Sequence, residues 1–335
     1  MLERPLIAGW KCDVCGAQVD IATPLVWRCP NSTAIDRRHS LSLVQSISPL
    51  RRAPGVDPFL TFRPYLAVDA LAGALGLTDE ARESVVRTAS AAVASVAGVG
   101  VHITPFARNE MLSNHFGLDA GGVWVKDEVG QAAGSHKIRH LFGILLHLQM
   151  VEAAGAAPWA DRPPLAIASC GNAAFAAVTL AAAAGWPISV FVPPTAESAV
   201  MNRLAELGAT VVECPRRASD PPGDPCMHRF RQAVAAGAIP FTVQGTENMW
   251  CLDGGRTIGW EIGRAIIESG EPTLDSVVVQ VGAGTFAACV AAGIGMAGWR
   301  PNLVTVQTEA CAPLSRAWQR VRTVEARDVA SEWEQ

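Results

Sequence analysis

Lysine is almost missing from this chain: its basic residues are arginines except for Lys11, Lys126 and Lys137. Chemistry that needs a primary amine therefore has three candidates. Charge is sparse as well, at 17% of residues with a formal net charge of -4. The arginines stand singly or in pairs such as Arg37-Arg38, Arg51-Arg52 and Arg216-Arg217, with no basic stripe, which argues against nucleic acid or an anionic membrane as a partner. Long hydrophobic runs are lacking too. The most apolar stretches, Ala173–Ala184 and Phe286–Ala297, fall short of the roughly 20 residues needed to span a bilayer and read as buried helices. Met1 to Trp10 holds no apolar run ending in a small-residue cleavage site, so export is not expected. Nine cysteines, an odd number, agree with a reducing cytoplasm.

What is present describes a folded protein: 335 residues, half of them hydrophobic, long enough for two domains with sizeable cores. From Gly121 onward, short β-rich runs alternate with Ala-rich helical ones. Val123–Val125 precedes a helix over Ser135–Val151, Leu165–Ala168 precedes Ala173–Ala184, and Ile188–Val192 precedes Ala196–Leu207. The beat continues through Thr210–Val212, Phe241–Val243 before Gly255–Ile267, Val277–Val281 before Thr285–Met296, and Leu303–Val306. This α/β pattern predicts doubly wound domains with mostly parallel sheets, whose chemistry lies beyond the carboxyl ends of the strands. Three parts are expected: a Cys-containing segment over residues 1–50, an N-terminal α/β domain over 51–235 carrying the reactive lysine, and a C-terminal α/β domain over 236–335.

Lys137 lies in Gly134-Ser135-His136-Lys137-Ile138-Arg139, at the predicted start of an apolar helix. Partial burial and the positive end of a helix dipole both lower an amine's pKa and favour the neutral nucleophile. The alternative is an ordinary first-turn lysine. Two further turns open helices. In Ser169-Cys170-Gly171-Asn172 the amides of a helix start can hold a carboxylate and the asparagine can meet a phenolic oxygen, or Ser169 and Asn172 simply cap the helix. In Gly282-Ala283-Gly284-Thr285, exposed amides, a hydroxyl and a helix dipole suit a phosphate. No complete dinucleotide fingerprint or P-loop is present.

The order of these elements resembles the fold type II pyridoxal-phosphate enzymes, the tryptophan-synthase-β-like class, over about two thirds of the chain from Ile103 to Glu309. Thr104-Pro105, Val125-Lys126-Asp127-Glu128, Val190–Pro193 and Gly208-Ala209 match further stations of that class. The resemblance implies Lys137 as the Schiff-base lysine and Asn172 at the cofactor's ring oxygen. It implies Gly282, Ala283, Gly284 and Thr285 at the phosphate of pyridoxal 5'-phosphate, and Ser169, Cys170 and Gly171 at the substrate carboxylate. Lys137 would also take the α-proton. A homodimer acting on a small amino acid follows from the same resemblance.

Within the class, Gly255-Arg256-Thr257-Ile258-Gly259-Trp260-Glu261-Ile262 and the cysteine-containing N-terminus resemble threonine synthases, implying conversion of O-phosphohomoserine to threonine. His136 before the lysine departs from that pattern and is more like the tryptophan synthase β subunit. Serine or threonine ammonia-lyases share the same turns, so β-elimination competes. Cys12-x-x-Cys15 with Cys29 makes three quarters of a zinc knuckle, Ser32 standing where the fourth cysteine belongs. His39 is a candidate fourth ligand, although a degenerate site without metal is the preferred reading. The class continues well past the strand at Leu303–Val306, so the C-terminal part is expected to be truncated, with a helix over Leu314–Arg327. That expectation brings in a reading of another kind, a truncated, non-catalytic cofactor-binding or interaction protein.

Overall fold

The computed structural model describes residues 6–46, 49–118, 120–270 and 274–322. It opens on an antiparallel sheet of β1 (Ile7–Cys12), β2 (Gln18–Asp20) and β3 (Leu41–Gln45), in the order β2-β1-β3. Alternation of buried and exposed residues along β1 turns Ile7, Trp10 and Cys12 inward, as one covered face requires. Helices α1 (Pro58–Thr61), α2 (Ala67–Ala74) and α3 (Asp79–Ala97) follow. Thr78 accepts a hydrogen bond from the Ala81 amide at the start of α3, and Gly98, left-handed at φ 77°, ends it, satisfying terminal backbone groups at both ends.

The middle of the chain holds β4 (Phe106–Arg108), α4 (Glu110–Phe116), β5 (Trp124–Lys126) and α5 (Lys137–Ala153). The strand expected at Val123–Val125 is β5, one residue later, and it pairs antiparallel with β4 outside the parallel sheet. The helix expected from Ser135 begins at Lys137, because Ser135 is extended at φ -166° and ψ 164°. Next come β6 (Leu165–Ala168), α6 (Asn172–Ala184), β7 (Ile188–Val192), α7 (Ser198–Glu206), β8 (Thr210–Glu213), α8 (Pro225–Ala235) and β9 (Ile239–Pro240). Their strands form one parallel sheet in the order β8-β7-β6-β9. The central strands β6 and β7 are apolar almost throughout and mostly buried, the mark of a sheet covered on both faces.

The last described part holds α9 (Cys251–Ser269), β10 (Ser276–Gln280), α10 (Thr285–Met296), β11 (Asn302–Val306) and α11 (Pro313–Val321). β10 and β11 pair in parallel. The α/β class with parallel sheets is therefore as expected. Two boundaries differ. The strand expected at Phe241–Val243 sits at Ile239–Pro240, and α9 begins four residues before Gly255. Part of the helix expected over Leu314–Arg327 lies outside the described residues, since α11 ends at Val321.

α5 runs through the core, buried on nearly all sides from Ile138 to Met150. It packs on α9, α6 and α2, with Phe142 edge-on to Phe59 at 4.9 Å. α9 can lie so close to it because glycine faces it: a Cβ on Gly254 would stand 1.8 Å from the Arg139 carbonyl oxygen. On the other side Gly259 meets Gly293 of α10. Glycine thus serves close helix approach here, which is why a glycine-rich stretch stays helical against its propensity. No described helix is long and apolar enough to cross a membrane.

Candidate active site

Each of the three lysines has a distinct setting. Lys11 is exposed on β1. Lys126 is occupied: its ammonium donates to the Thr104 carbonyl at 2.7 Å and pairs with Glu261. Lys137 is half-buried at the first turn of α5, and burial holds its pKa below the ordinary value, with Cys251 opposing. Its ammonium makes no hydrogen bond to any described residue. A desolvated amine without a carboxylate is the state in which nitrogen is nucleophilic.

Two histidines flank that amine. His136 is pushed down to about 2, chiefly by burial and then by the charge of Lys137, and His140 to about 4 for the same reasons. Both rings are neutral at physiological pH. His140 Nδ1 lies 2.8 Å from the Cys251 carbonyl oxygen, whereas His136 Nε2, His140 Nε2 and Ser135 Oγ are buried without a partner. Three such atoms within one turn of Lys137 call for a polar group there, because unsatisfied buried donors and acceptors are costly. The resemblance implies pyridoxal phosphate, and these atoms fit it.

Each of the two helix-opening turns leads into a helix that touches the segment around Lys137. Gly282, Ala283, Gly284 and Thr285 lead into α10 beyond the carboxyl end of β10, Gly284 being left-handed at φ 92°. The next residue, Phe286, stacks on His136 with ring centroids 3.9 Å apart and planes 19° apart. A Cβ on Gly282 or Gly284 would meet nothing within 4 Å, so the loop has open space beside its amides, as a phosphate cradle requires. Ser169, Cys170, Gly171 and Asn172 join β6 to α6, with Cys170, Gly171 and Asn172 exposed. The single turn Ala132–Gly134 just before Lys137 packs on α6, and Ala132 and Ala174 share the buried core. The segment before Lys137 thus meets the residue after the glycine loop through the His136–Phe286 stack and packs on α6, the helix that follows Ser169–Gly171. Cys12, Cys15 and Cys29 gather elsewhere.

Sequence reasoning assigned no role to Arg139, which fixes the frame of the site. It is fully buried, donating from Nε to Glu128 at 2.8 Å, from Nη2 to Thr104 Oγ1 at 3.1 Å and from Nη1 to Thr257 Oγ1 at 3.2 Å, and pairing with Glu261. Burial lowers its pKa, but Glu261 and Glu128 outweigh that and raise it. Lys126, Arg139, Glu128 and Glu261 therefore form a buried cluster of two cations and two anions that ties β5 and α9 to α5, two residues from Lys137. The sequence carried one sign of it: an arginine amid Ile138, His140 and Leu141 cannot be buried without partners.

The model of the pyridoxal-phosphate dependent enzyme family matches residues 98–334. Among solved structures, maize serine racemase aligns at a TM-score of 0.53 with 17% identity, over 72% of this chain and 64% of that one. Threonine deaminase isoform 2 from Solanum lycopersicum, in its processed form, gives 0.50 and 19% over 73% and 64%. Apo diaminopropionate ammonia lyase from Escherichia coli gives 0.52 and 19% over 70% and 66%. This chain thus spans somewhat less than two thirds of the length of each of these structures, and at such identities the likeness is one of fold. No curated protein matches it. The family match takes in Lys137, Ser169–Asn172 and Gly282–Thr285, and on it this chain belongs to the pyridoxal-phosphate-dependent enzyme family.

Proposed function

We propose that this chain catalyses elimination or replacement at the β or γ carbon of a small α-amino acid, in the manner of threonine synthase, with O-phosphohomoserine as substrate and threonine as product. The observation that carries the proposal is Lys137, a half-buried amine with no hydrogen-bond partner among the described residues, at a helix start whose His136 stacks on the residue that follows the glycine loop. Bound pyridoxal phosphate supplies an electron sink for a carbanion at Cα.

The chain supplies the rest. Lys137 would hold the cofactor through its Nζ and would serve as the base for the α-proton. Amides of Gly282, Ala283 and Gly284, the Thr285 hydroxyl and the dipole of α10 hold the phosphate. Asn172 meets the ring oxygen, and Ser169, Cys170 and Gly171 at the start of α6 hold the substrate carboxylate. His136 and His140, uncharged, would add no positive charge that competes for the phosphate. A homodimer is proposed on the same resemblance.

A second reading is dehydration of serine or threonine with loss of ammonia. It draws support from fold neighbours named threonine deaminase and diaminopropionate ammonia lyase. The stretch that resembles threonine synthase also discriminates weakly, since Thr257 and Glu261 face the Arg139 cluster rather than the open turns.

The test is the visible spectrum with added pyridoxal phosphate, before and after borohydride, beside Lys137→Ala. A reducible band absent from the variant supports cofactor and lysine together. O-Phosphohomoserine, serine and threonine then separate the readings, phosphate release with threonine formation marking the first and 2-oxo acid with ammonia the second. If the wild type shows no band, the enzyme reading falls and a non-catalytic interaction protein replaces it.

A further inference from the structure

The N-terminal segment lies outside the family match, and the turns around Lys137 do not use it. Its three cysteines are nevertheless not scattered. Cys12 ends β1, Cys15 follows in the turn to β2, Cys29 lies in the loop beyond β2, and His39 stands just before β3. One ligand atom from each lies within 4.8 Å of every other, and no other such group of His, Cys, Asp and Glu occurs among the described residues.

We propose that Cys12, Cys15, Cys29 and His39 bind one zinc ion as a closed structural site. Tetrahedral zinc with bonds of about 2.3 Å to sulfur and about 2.0 Å to nitrogen sets its ligands roughly 3.8 Å apart for two sulfurs and roughly 3.5 Å apart for sulfur and nitrogen. Cys15 Sγ and Cys29 Sγ are 3.6 Å apart, and Cys12 Sγ and His39 Nδ1 are 3.4 Å apart. Three of the four residues are buried, and four protein ligands fill a tetrahedral shell, leaving none of the open positions that a catalytic zinc site keeps.

The surroundings are those of a metal site and not of stray thiols. The Ala17 amide donates to the Cys15 sulfur and the Asn31 amide to that of Cys29, both two residues on, as in a knuckle whose backbone turns around bound sulfur. The Asn31 side chain adds a donor to Cys15 at 3.4 Å. His39 offers Nδ1 to the cluster while its Nε2 lies 3.4 Å from Asp36 Oδ2, the carboxylate–histidine arrangement that fixes the ring of a metal ligand.

The site would staple the segment that docks beside the lysine. Between Cys29 and His39, Arg37 pairs with Glu247 at 3.0 Å. Trp27, just before Cys29, accepts a hydrogen bond from the Met249 amide at 2.8 Å and meets Trp250 edge-on at 5.9 Å. Trp250 directly precedes Cys251, whose carbonyl receives His140. Zinc here holds a wall of the region around Lys137 without touching it.

The test is elemental analysis of the intact chain after dialysis against chelator-free buffer, with Cys15→Ser, His39→Ala, Asp36→Ala and, as a control outside the cluster, Cys311→Ser. The expected result is one zinc per chain in wild type and Cys311→Ser, loss in His39→Ala, and about 10- to 100-fold weaker binding in Asp36→Ala. Cobalt exchanged into the wild type shows the intense visible bands of tetrahedral thiolate coordination, altered in Cys15→Ser. Cys15 is exposed, so that variant keeps its fold and remains readable should the buried ones fail. A wild type that retains no zinc when zinc is supplied, a disulfide between Cys15 and Cys29 in the reduced protein's place, or zinc binding unchanged in Cys15→Ser and His39→Ala overturns the proposal. None of these outcomes depends on the visible band of the cofactor.

Discussion

His136 lies flat on Phe286, ring centroids 3.9 Å apart, and through this one stack the helix start that carries Lys137 is held to the glycine loop that precedes α10. An aromatic pair of this kind contributes about 0.5–1.5 kcal/mol beyond its buried area. Phe286→Ala is expected to weaken cofactor binding by about tenfold, the equivalent of 1.4 kcal/mol, while Phe286→Trp keeps most of it. Titration of the visible band with pyridoxal phosphate measures both. Equal affinity in wild type and Phe286→Ala would mean the loop is held by something else.

Arg139 makes a second prediction. Replacing it by Met removes one partner each of Glu128 and Glu261, leaving Glu128 the Thr104 hydroxyl and Lys126 at 3.9 Å. Breaking a buried pair from one side costs about 3–5 kcal/mol, and Lys126 still faces Glu261, so the lower end of that range is expected. Urea denaturation gives the number. A loss under about 1 kcal/mol would show that the cluster behaves as a surface pair and does not frame Lys137.

These residues also show where the sequence was legible. Lys137 stood out because lysine is rare, and the turns at Ser169–Asn172 and Gly282–Thr285 because each breaks an apolar strand with small residues before an Ala-rich helix. All three are local patterns. The roles of Arg139, His136 and Phe286 were not legible, for the opposite reason: they come largely from partners more than a hundred residues away, Glu261 and Thr257 for Arg139 and each other's ring for His136 and Phe286. His39 is a similar case. Spacing suggested three ligands and left the fourth open, since only the packing of the loop before β3 onto β1 decides whether an imidazole reaches the sulfurs. The helix expected from Gly255 in fact starts at Cys251, and Gly254 and Gly255 are there for what they lack, since a Cβ on either would strike α5.

His147 provides a pH test away from the lysine. It is buried on α5, stacks on Trp250 at 4.8 Å, and is pushed by burial from 6.5 to about 4, with the Gly143 carbonyl opposing. Its pKa is thus lower in the folded chain than in the unfolded one. The unfolded chain therefore takes up a proton below about pH 6.5 that the folded chain refuses until about pH 4. Stability from this group is present above the unfolded pKa and is lost as pH falls through that window, by roughly 3 kcal/mol for a shift of this size. His147→Phe, which keeps a ring against Trp250, should flatten the urea midpoint between those pH values. An unchanged pH profile would show that other groups, His140 among them, carry the acid sensitivity.

The helix contact at Gly254 can be tested against a glycine of the opposite kind. Alanine is favoured over glycine inside a helix by about 1 kcal/mol, so either substitution would stabilise if propensity decided. At Gly254 the added carbon would lie 1.8 Å from the Arg139 carbonyl oxygen and 2.7 Å from its carbon. Both are backbone atoms of α5 and have no rotamer to yield, so the two helices must part. Overpacking of this sort costs about 1–3 kcal/mol, and the displacement falls on the turn that bears Lys137. At Gly295 the nearest atom is Nη1 of Arg300 at 2.8 Å, the end of a side chain that can swing toward solvent. Gly254→Ala should therefore lower the melting temperature and weaken the cofactor band together, and Gly295→Ala should leave both unchanged or raise the first. If both variants rise, helix propensity outweighs contact, and α9 and α5 are farther apart than the glycines require.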